Sequence, residues 1–137
     1  MPKADRLSSE AVSFLQEKQI AQIATIMADG SPQVTPVWVD VEPDGSYVLI
    51  NTADGRLKTR NAARNPKVAV SVVDGQNPFR YVIVRGTIEE LRHEGAAAHI
   101  DFLAKKYTGR DQYSYRGGFE QRVILRIKPH HILERGV

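Results

Sequence analysis

Residues 51–66 read NTADGRLKTRNAARNP and form the basic segment around which the rest of this sequence is arranged. The apolar runs on either side of it, residues 47–50 (YVLI) and 68–73 (VAVSVV), are rich in the β-branched and aromatic residues typical of strands. Between the two runs, a short polar loop leads into a segment of helical character, which Pro66 ends because proline cannot continue a helix. The pattern therefore predicts a strand, a basic helix and a second strand.

The start of this basic helix is a candidate anion site. A helix start exposes unpaired backbone N–H groups and the positive end of the helix dipole. Arg56, Lys58 and Arg60 add cations there, and Thr52 and Thr59 add hydroxyl groups. We interpret the segment as a cradle for the phosphate of a bound cofactor. A solvated basic helix between two strands would give the same local pattern.

The remaining apolar runs are short and separated by turns. Asp-Gly pairs at residues 29–30 and 44–45 mark two of these turns, because glycine accepts the positive φ that tight turns need. Such strands predict a mainly β, antiparallel barrel or sandwich, and without an internal repeat or linker we predict one domain over residues 1–137. The predicted strands are residues 20–27, 33–41, 47–51, 68–73, 79–88 and 122–128, and the predicted helices are residues 7–18 with Ser8 as N-cap, the basic segment, and residues 95–107.

Pro36 lies inside the second predicted strand. Proline cannot donate a hydrogen bond to a neighbouring strand, so this position should be a sheet edge or a bulge. An edge leaves nearby backbone groups able to bond a flat ligand. The alternative is an edge that proline simply protects from aggregation.

Composition narrows the class of protein. The 137 residues include no cysteine, which excludes disulfides, thiol catalysis and cysteine metal sites, and fits a cytoplasmic location. We see no secretory signal and no apolar run long enough to span a membrane. The net charge of +3 and the pI of about 9.3 permit an anionic ligand. The aromatic residues do not alternate with basic ones on one strand face, which argues against a nucleic-acid-binding barrel.

Known catalytic motifs are missing from the sequence. His93, His99, His130 and His131 lack zinc-site spacing, so we predict no metal site. The sequence also has no G-x-S-x-G elbow, Walker loop or G-x-G-x-x-G fingerprint. If the protein is an enzyme, a cofactor supplies the chemistry, and no catalytic residue can be named.

The ordered motifs resemble the pyridoxamine 5′-phosphate oxidase-like split β-barrel superfamily, and within it the flavin/deazaflavin oxidoreductase branch of coenzyme F420-dependent enzymes. The resemblance implies a six-stranded antiparallel split β-barrel with flanking helices. It also implies a homodimer with two sites at the interface. The residues that carry the resemblance are 23–38 (IATIMADGSPQVTPVW), 51–61 (NTADGRLKTRN), 64–70 (RNPKVAV), 77–81 (NPFRY) and 104–107 (AKKY).

The resemblance also implies which residues bind the cofactor. Arg56, Lys58 and Thr59 match the phosphate-binding loop and helix start, and Lys58 matches the family's phosphate-binding lysine. Asn51 and Thr52 match the strand end beside the ring and ribityl chain. The strand of residues 34–37 matches the one whose backbone runs along the ring. The full implied set is Gln33, Val34, Thr35, Pro36, Val37, Asn51, Thr52, Arg56, Leu57, Lys58, Thr59, Asn77, Pro78 and Arg80.

Within that set, Asn77, Pro78 and Arg80 form the turn that we expect to reach the site of the second chain. The alternative is an ordinary hairpin with one exposed arginine. A second candidate, the loop with Tyr113, Tyr115 and Arg116, would close over the substrate with residues 117–118 (GG) as its hinge, or else is a plain surface loop.

One departure from the family pattern bears on the cofactor. FMN oxidases of the superfamily carry a Ser-Arg-Lys run at the phosphate, whereas this chain has Arg56-Leu57-Lys58. The chain also lacks the longer C-terminal segment that completes the vitamin B6 site. Arg56, Arg60 and Arg64 would suit the acidic tail of the deazaflavin, and they share one helix face.

The resemblance therefore implies an F420-dependent reductase that passes a hydride from the deazaflavin C5 to a small conjugated molecule, such as an enone, imine, quinone or tetrapyrrole. The alternatives are an FMN-dependent oxidoreductase of the same fold, or a protein that binds flavin or haem without turnover.

Overall fold

The computed structural model describes residues 1–114 and 121–137, and these form three helices and seven strands. The predicted loop residues Tyr115 and Arg116 and the predicted hinge at residues 117–118 lie outside the described part. In chain order the elements are α1 (Ser9–Gln16), β1 (Ile20–Ile26), β2 (Pro32–Trp38), β3 (Asp40–Val41), β4 (Val48–Ala53), α2 (Leu57–Arg64), β5 (Lys67–Val73), β6 (Tyr81–Arg92), α3 (Ala96–Thr108) and β7 (Arg122–Arg135).

The strands form one antiparallel sheet in the order β2-β1-β5-β6-β7-β4-β3. The two edge strands, β2 and β3, follow each other in the chain and are separated by Val39 alone. The sheet must therefore curl until its two edges meet, which is the predicted split barrel. It has seven strands instead of six, because the predicted strand of residues 33–41 divides into two. The predicted edge position of Pro36 is confirmed, since β2 pairs with β1 alone.

Val39 is fully buried where the chain passes from one edge to the other. The Tyr107 hydroxyl accepts a hydrogen bond from the Val39 N–H (3.1 Å) and donates one to the Gln19 carbonyl (2.6 Å). Lys106 Nζ donates to the carbonyls of Val39 and Leu15, each at 2.8 Å. An unpaired buried backbone group costs about 1–3 kcal/mol, so these contacts from α3 allow the chain to leave one edge and join the other.

The inside of the curled sheet and one side of α1 form the main core. The predicted N-cap is confirmed: the Ser8 hydroxyl accepts from the Ala11 N–H at 3.1 Å, and α1 then buries Phe14 and Leu15. Successive side chains of a strand point to opposite faces of the sheet, so the strands bury alternate residues on the inner face. The largest fully buried side chains include Phe14, Leu15, Ile23, Ile50, Leu103, Leu125 and Ile127.

β7 is longer than predicted. The predicted strand ends at Lys128, before Pro129, but β7 continues to Arg135. Its pairing with β6 shifts register between Arg85 and Gly86, and Gly86 faces Pro129 there. A Cβ on Gly86 would lie 2.0 Å from the Lys128 carbonyl oxygen, so glycine is required for this close approach.

Burial lowers the pKa of Lys106 to about 8, although the nearby Asp40 carboxylate acts in the opposite direction. The unfolded chain then holds more protons at this lysine than the folded chain does between pH 8 and about 10.5, its ordinary pKa. The contribution of Lys106 to the free energy of unfolding must therefore rise with pH across that window.

We expect Lys106→Met to remove this part of the pH dependence. Urea unfolding at pH 7, 8, 9 and 10 should give a wild-type free energy of unfolding that rises more steeply than that of the variant. Lys105→Met is the matched control, since Lys105 is the neighbouring lysine and its side chain is exposed. Equal slopes for wild type and Lys106→Met would contradict the assignment.

Candidate ligand pocket

A pocket of about 300 Å³ opens beside the Val39 junction, between the end of β2, the end of β4, the start of α2, one side of α3 and the start of β7. Six of the predicted cofactor-binding residues line it, and the structure thus brings together parts of the chain that are far apart in sequence. The lining residues are Ile20, Pro36, Val37, Trp38, Asn51, Thr52, Arg56, Lys58, Ile100, Tyr113 and Arg122.

Polar contacts hold the basic helix α2 against the sheet. The Thr59 hydroxyl donates to the Ala53 carbonyl (2.8 Å), and Asn61 Nδ2 donates to the Thr25 hydroxyl (3.1 Å). Arg64 donates to the Ile26 carbonyl at 3.1 Å. Within α2, all of which the structure describes, no acidic residue occupies the first turn and no side chain caps it. Its first N–H groups therefore present a positive helix end beside the pocket.

Three cations converge at this end of the pocket. The pKa of Lys58 is lowered by burial first, and then by the positive charges of Arg56 and Arg122. The site therefore concentrates positive charge at a cost in Coulomb energy, which a bound anion would relieve. This electrostatic arrangement supports the predicted phosphate cradle.

Aromatic and aliphatic side chains form the rest of the wall. Trp38 stacks on Tyr107 with ring centroids 5.0 Å apart and planes within 5°, and Tyr113 meets Trp38 edge-on at 5.9 Å. Because the Tyr107 hydroxyl is fixed by its backbone contacts, the stacked indole is also held in place. A rigid apolar wall next to a cationic end suits a ligand with a flat ring and an anionic group.

Several predicted residues lie on these elements without lining the pocket. Gln33, Val34 and Thr35 precede Pro36 on the edge strand, and Val34 is 56% exposed. Leu57 is exposed at the start of α2, whereas Thr59 is buried with its hydroxyl proton directed to Ala53. Their predicted contacts with a cofactor remain predictions.

The turn with Asn77, Pro78 and Arg80 lies away from this pocket. Arg80 pairs with Glu17 (2.5 Å) and Asp74 (2.7 Å), and its guanidinium lies 4.8 Å from the centre of the Phe14 ring. Arg80 therefore links the end of α1 to the β5–β6 turn within its own chain. The predicted contribution of the turn to a second chain stays a prediction.

Sequence reasoning did not place Ile20, Ile100 and Arg122 in the site, whereas Tyr113, which lines the pocket, belongs to the loop proposed to close over the substrate. Arg122 is the first residue of the last predicted strand, and its side chain lines the pocket. Its position follows from the pairing of β7 with β4, in which Ala53 faces Arg122. Strand pairing of this kind cannot be read from local sequence patterns.

In residues 1–114 and 121–137, no group of three or more His, Cys, Asp or Glu side chains has the arrangement of a metal site. None of the described helices is both long enough and apolar enough to cross a membrane.

Two known proteins match parts of this chain in sequence. F420H2-dependent biliverdin reductase of Mycobacterium tuberculosis is 37% identical over 70 residues, which cover 51% of this chain and 51% of that protein. Heme oxygenase HutZ of Vibrio cholerae is 26% identical over 96 residues, which cover 70% of this chain and 52% of that protein. The chain thus spans about half the length of these curated relatives.

A solved structure described as an F420 reductase has the same fold, with a TM-score of 0.78 and 29% sequence identity, and the match covers 93% of this chain and 97% of that one. The family model described as pyridoxamine 5′-phosphate oxidase matches residues 7–136, nearly the whole chain. The resemblance expected from the motifs is therefore confirmed, and this protein belongs to the pyridoxamine 5′-phosphate oxidase family.

Proposed function

We propose that this protein is a coenzyme F420-dependent reductase whose pocket binds the deazaflavin and a small conjugated substrate. The observation that carries the proposal is the convergence of Arg56, Lys58 and Arg122 at the uncapped start of α2, directly beside a rigid apolar wall. The two relatives that use this cofactor, the biliverdin reductase and the F420 reductase, support the choice of deazaflavin.

Each part of the pocket has a role in this proposal. Lys58 and Arg56 hold the cofactor phosphate together with the first N–H groups of α2. Pro36, Val37, Asn51 and Thr52 all line the pocket. The edge-strand backbone at Pro36 and Val37 would lie along the ring, and Asn51 and Thr52 would sit beside the ring and ribityl chain. The bound deazaflavin supplies a hydride at its ring carbon C5. The protein contributes position and the exclusion of water, and we assign no proton donor.

The arginines of α2 differ in whether their guanidinium groups are available to bind an acidic cofactor tail. Arg60 is exposed on the second turn of the helix. Arg64 instead bonds the Ile26 carbonyl and the Asn61 side chain, the latter at 2.7 Å. The extra positive charge that would favour deazaflavin over FMN therefore rests on Arg56 and Arg60.

HutZ similarity keeps haem binding as a second candidate. Haem proteins commonly hold the iron through an axial histidine. Among the described residues that line the pocket there is no histidine, and His99 lies behind Asn51. The pocket therefore fits a phosphate-bearing ring better than an iron porphyrin.

We also propose that the protein acts as a homodimer. The pocket volume of about 300 Å³ is at the small end for ligand sites, so a cofactor with a long tail must extend beyond it. Ile20, at the pocket wall, is 49% exposed, and Val73, which follows the partner of Ala21 on the next strand, is 47% exposed. A second chain on this outer apolar face would cover both residues and complete the site.

A titration with three ligands tests which cofactor the protein binds. We expect coenzyme F420 to quench Trp38 fluorescence with the lowest dissociation constant, FMN to bind more weakly, and haemin to bind weakest. Trp38 is the one tryptophan of the sequence and lines the pocket, so its signal reports this site. Tighter binding of FMN would make the protein a flavin enzyme, and tighter binding of haemin would support the second candidate.

Lys58→Ala tests the phosphate cradle. We expect it to weaken F420 binding by roughly 1.5–3 kcal/mol, the scale of a lost hydrogen bond to a charged group, or about 10- to 150-fold in the dissociation constant. Lys67→Ala is the control, because Lys67 is an exposed lysine at the start of β5 and lies outside the pocket. Unchanged affinity in Lys58→Ala would rule out the cradle.

Sedimentation equilibrium tests the dimer. Wild type is expected at twice the chain mass of 15.3 kDa, and Val73→Asp should shift it towards the monomer because a charge on the outer apolar face opposes its burial. Phe102→Asp changes an equally apolar, 59% exposed residue on α3 and should leave the mass unchanged. A monomeric wild type would refute the proposal.

A further inference from the structure

A chain of hydrogen bonds runs from β3 to the pocket wall through four elements. The Asp40 carboxylate on β3 lies 2.9 Å from Nε2 of His99 on α3. His99 Nδ1 lies 3.0 Å from Nδ2 of Asn51 on β4. Asn51 Oδ1 then accepts from Nε of Arg122 on β7 at 3.0 Å. Asn51 and Arg122 both line the pocket, whereas Asp40 and His99 do not.

The chemistry of each group fixes the direction of these bonds. An ionised carboxylate can only accept, so Asp40 places the His99 proton on Nε2, which makes Nδ1 of the neutral ring an acceptor. The Asn51 amide must then turn its NH2 group towards His99. The Ala96 carbonyl, 2.9 Å from the same Nδ2, requires the same orientation. The amide oxygen is left facing Arg122.

The direction of these hydrogen bonds is important because the side chains that form them are buried or nearly so. The side chains of His99 and Asp40 are 12% and 16% exposed, and Asn51 is 9% exposed. Water has little access to these buried groups and cannot replace a lost partner. An inverted amide would therefore set its oxygen against two acceptors, His99 Nδ1 and the Ala96 carbonyl, and its NH2 group against the Arg122 donor. The Arg122 guanidinium also lies 5.0 Å from the centre of the Tyr113 ring, which places it at the pocket wall.

We propose that Asp40 and His99 are positioning residues of the pocket: they fix the Asn51 amide in the orientation that holds Arg122 at the cationic end of the wall. Asn51 and Arg122 meet the ligand, and Asp40 and His99 act through them. The consequence for cofactor affinity rests on the function proposed above, whereas the orientation of the amide does not.

Two substitutions of His99 separate its two contacts. His99→Asn places an amide oxygen near the position of Nδ1, so it keeps an acceptor for Asn51 and loses the contact with Asp40. His99→Gln places its amide near Nε2, so it keeps the contact with Asp40 and loses the acceptor for Asn51. The proposal therefore predicts that asparagine rescues the pocket and glutamine does not, although both remove the same ring.

The first measurement uses the protein without ligand. Nitrogen-15 NMR should show His99 as the Nε2–H tautomer in wild type. The Arg122 Nε–H should exchange slowly with solvent in wild type and in His99→Asn, and at least tenfold faster in His99→Gln. An Nδ1–H tautomer in wild type, or equal Arg122 exchange in the two variants, would overturn the proposal. The wild-type measurement stands even if a variant does not fold.

The second measurement is the F420 dissociation constant. We expect His99→Gln to raise it about tenfold, the effect of one lost hydrogen bond, and His99→Asn to change it less than threefold. His130→Asn is the control, because His130 is an exposed histidine whose Nε2 contacts Thr87 at 2.9 Å outside the network. Equal losses in both His99 variants would contradict positioning through Asn51. Failure of F420 to bind wild type would instead refute the proposed function and leave the NMR test intact.

Discussion

The buried backbone of Val39 is the constraint on which the rest of this structure depends. Its neighbours belong to strands at opposite edges of the sheet, so a single residue must carry the chain across the gap where the barrel is split. Tyr107 and Lys106 satisfy its N–H and carbonyl there. The two residues beside Val39 have different roles: Trp38 lines the pocket, and Asp40 contacts His99.

Helix α3 contributes both to the fold and to the pocket. Its last turn supplies the contacts to Val39, and its first half supplies Ile100 to the pocket wall and His99 to Asn51. The stacking of Tyr107 on Trp38 links these tasks directly, since one side chain anchors the backbone of the gap and supports the aromatic wall. A change at the end of α3 is therefore a change in the shape of the pocket.

Sequence patterns predicted the features that depend on local chemistry. Short apolar runs and Asp-Gly turns located the strands, Pro36 indicated an edge, and the basic segment located the cationic end of the pocket. Features that depend on distant contacts were not predicted. Nothing local distinguishes Val39 as a gap between strands, the continuation of β7 past Pro129 depends on Gly86 of another strand, and Arg122 enters the site only through the pairing of β7 with β4. The ion pairs of Arg80 with Glu17 and Asp74 were not predicted either, because the two carboxylates come from separate parts of the chain.

The place of β7 between β6 and β4 has a consequence for how the chain acquires its structure. β7 pairs Ile127 with Val48, and a bridge joins His131 to Lys3, so the contacts that close the sheet connect residues far apart in the sequence. Such contacts lose chain entropy before they gain any packing energy, and proteins dominated by them fold slowly. Until β7 arrives, β4 has β3 on one side and an open hydrogen-bonding edge on the other. We therefore expect the rate of folding to be limited by the search that brings these distant strands together, and an incomplete chain to be prone to aggregation through β4.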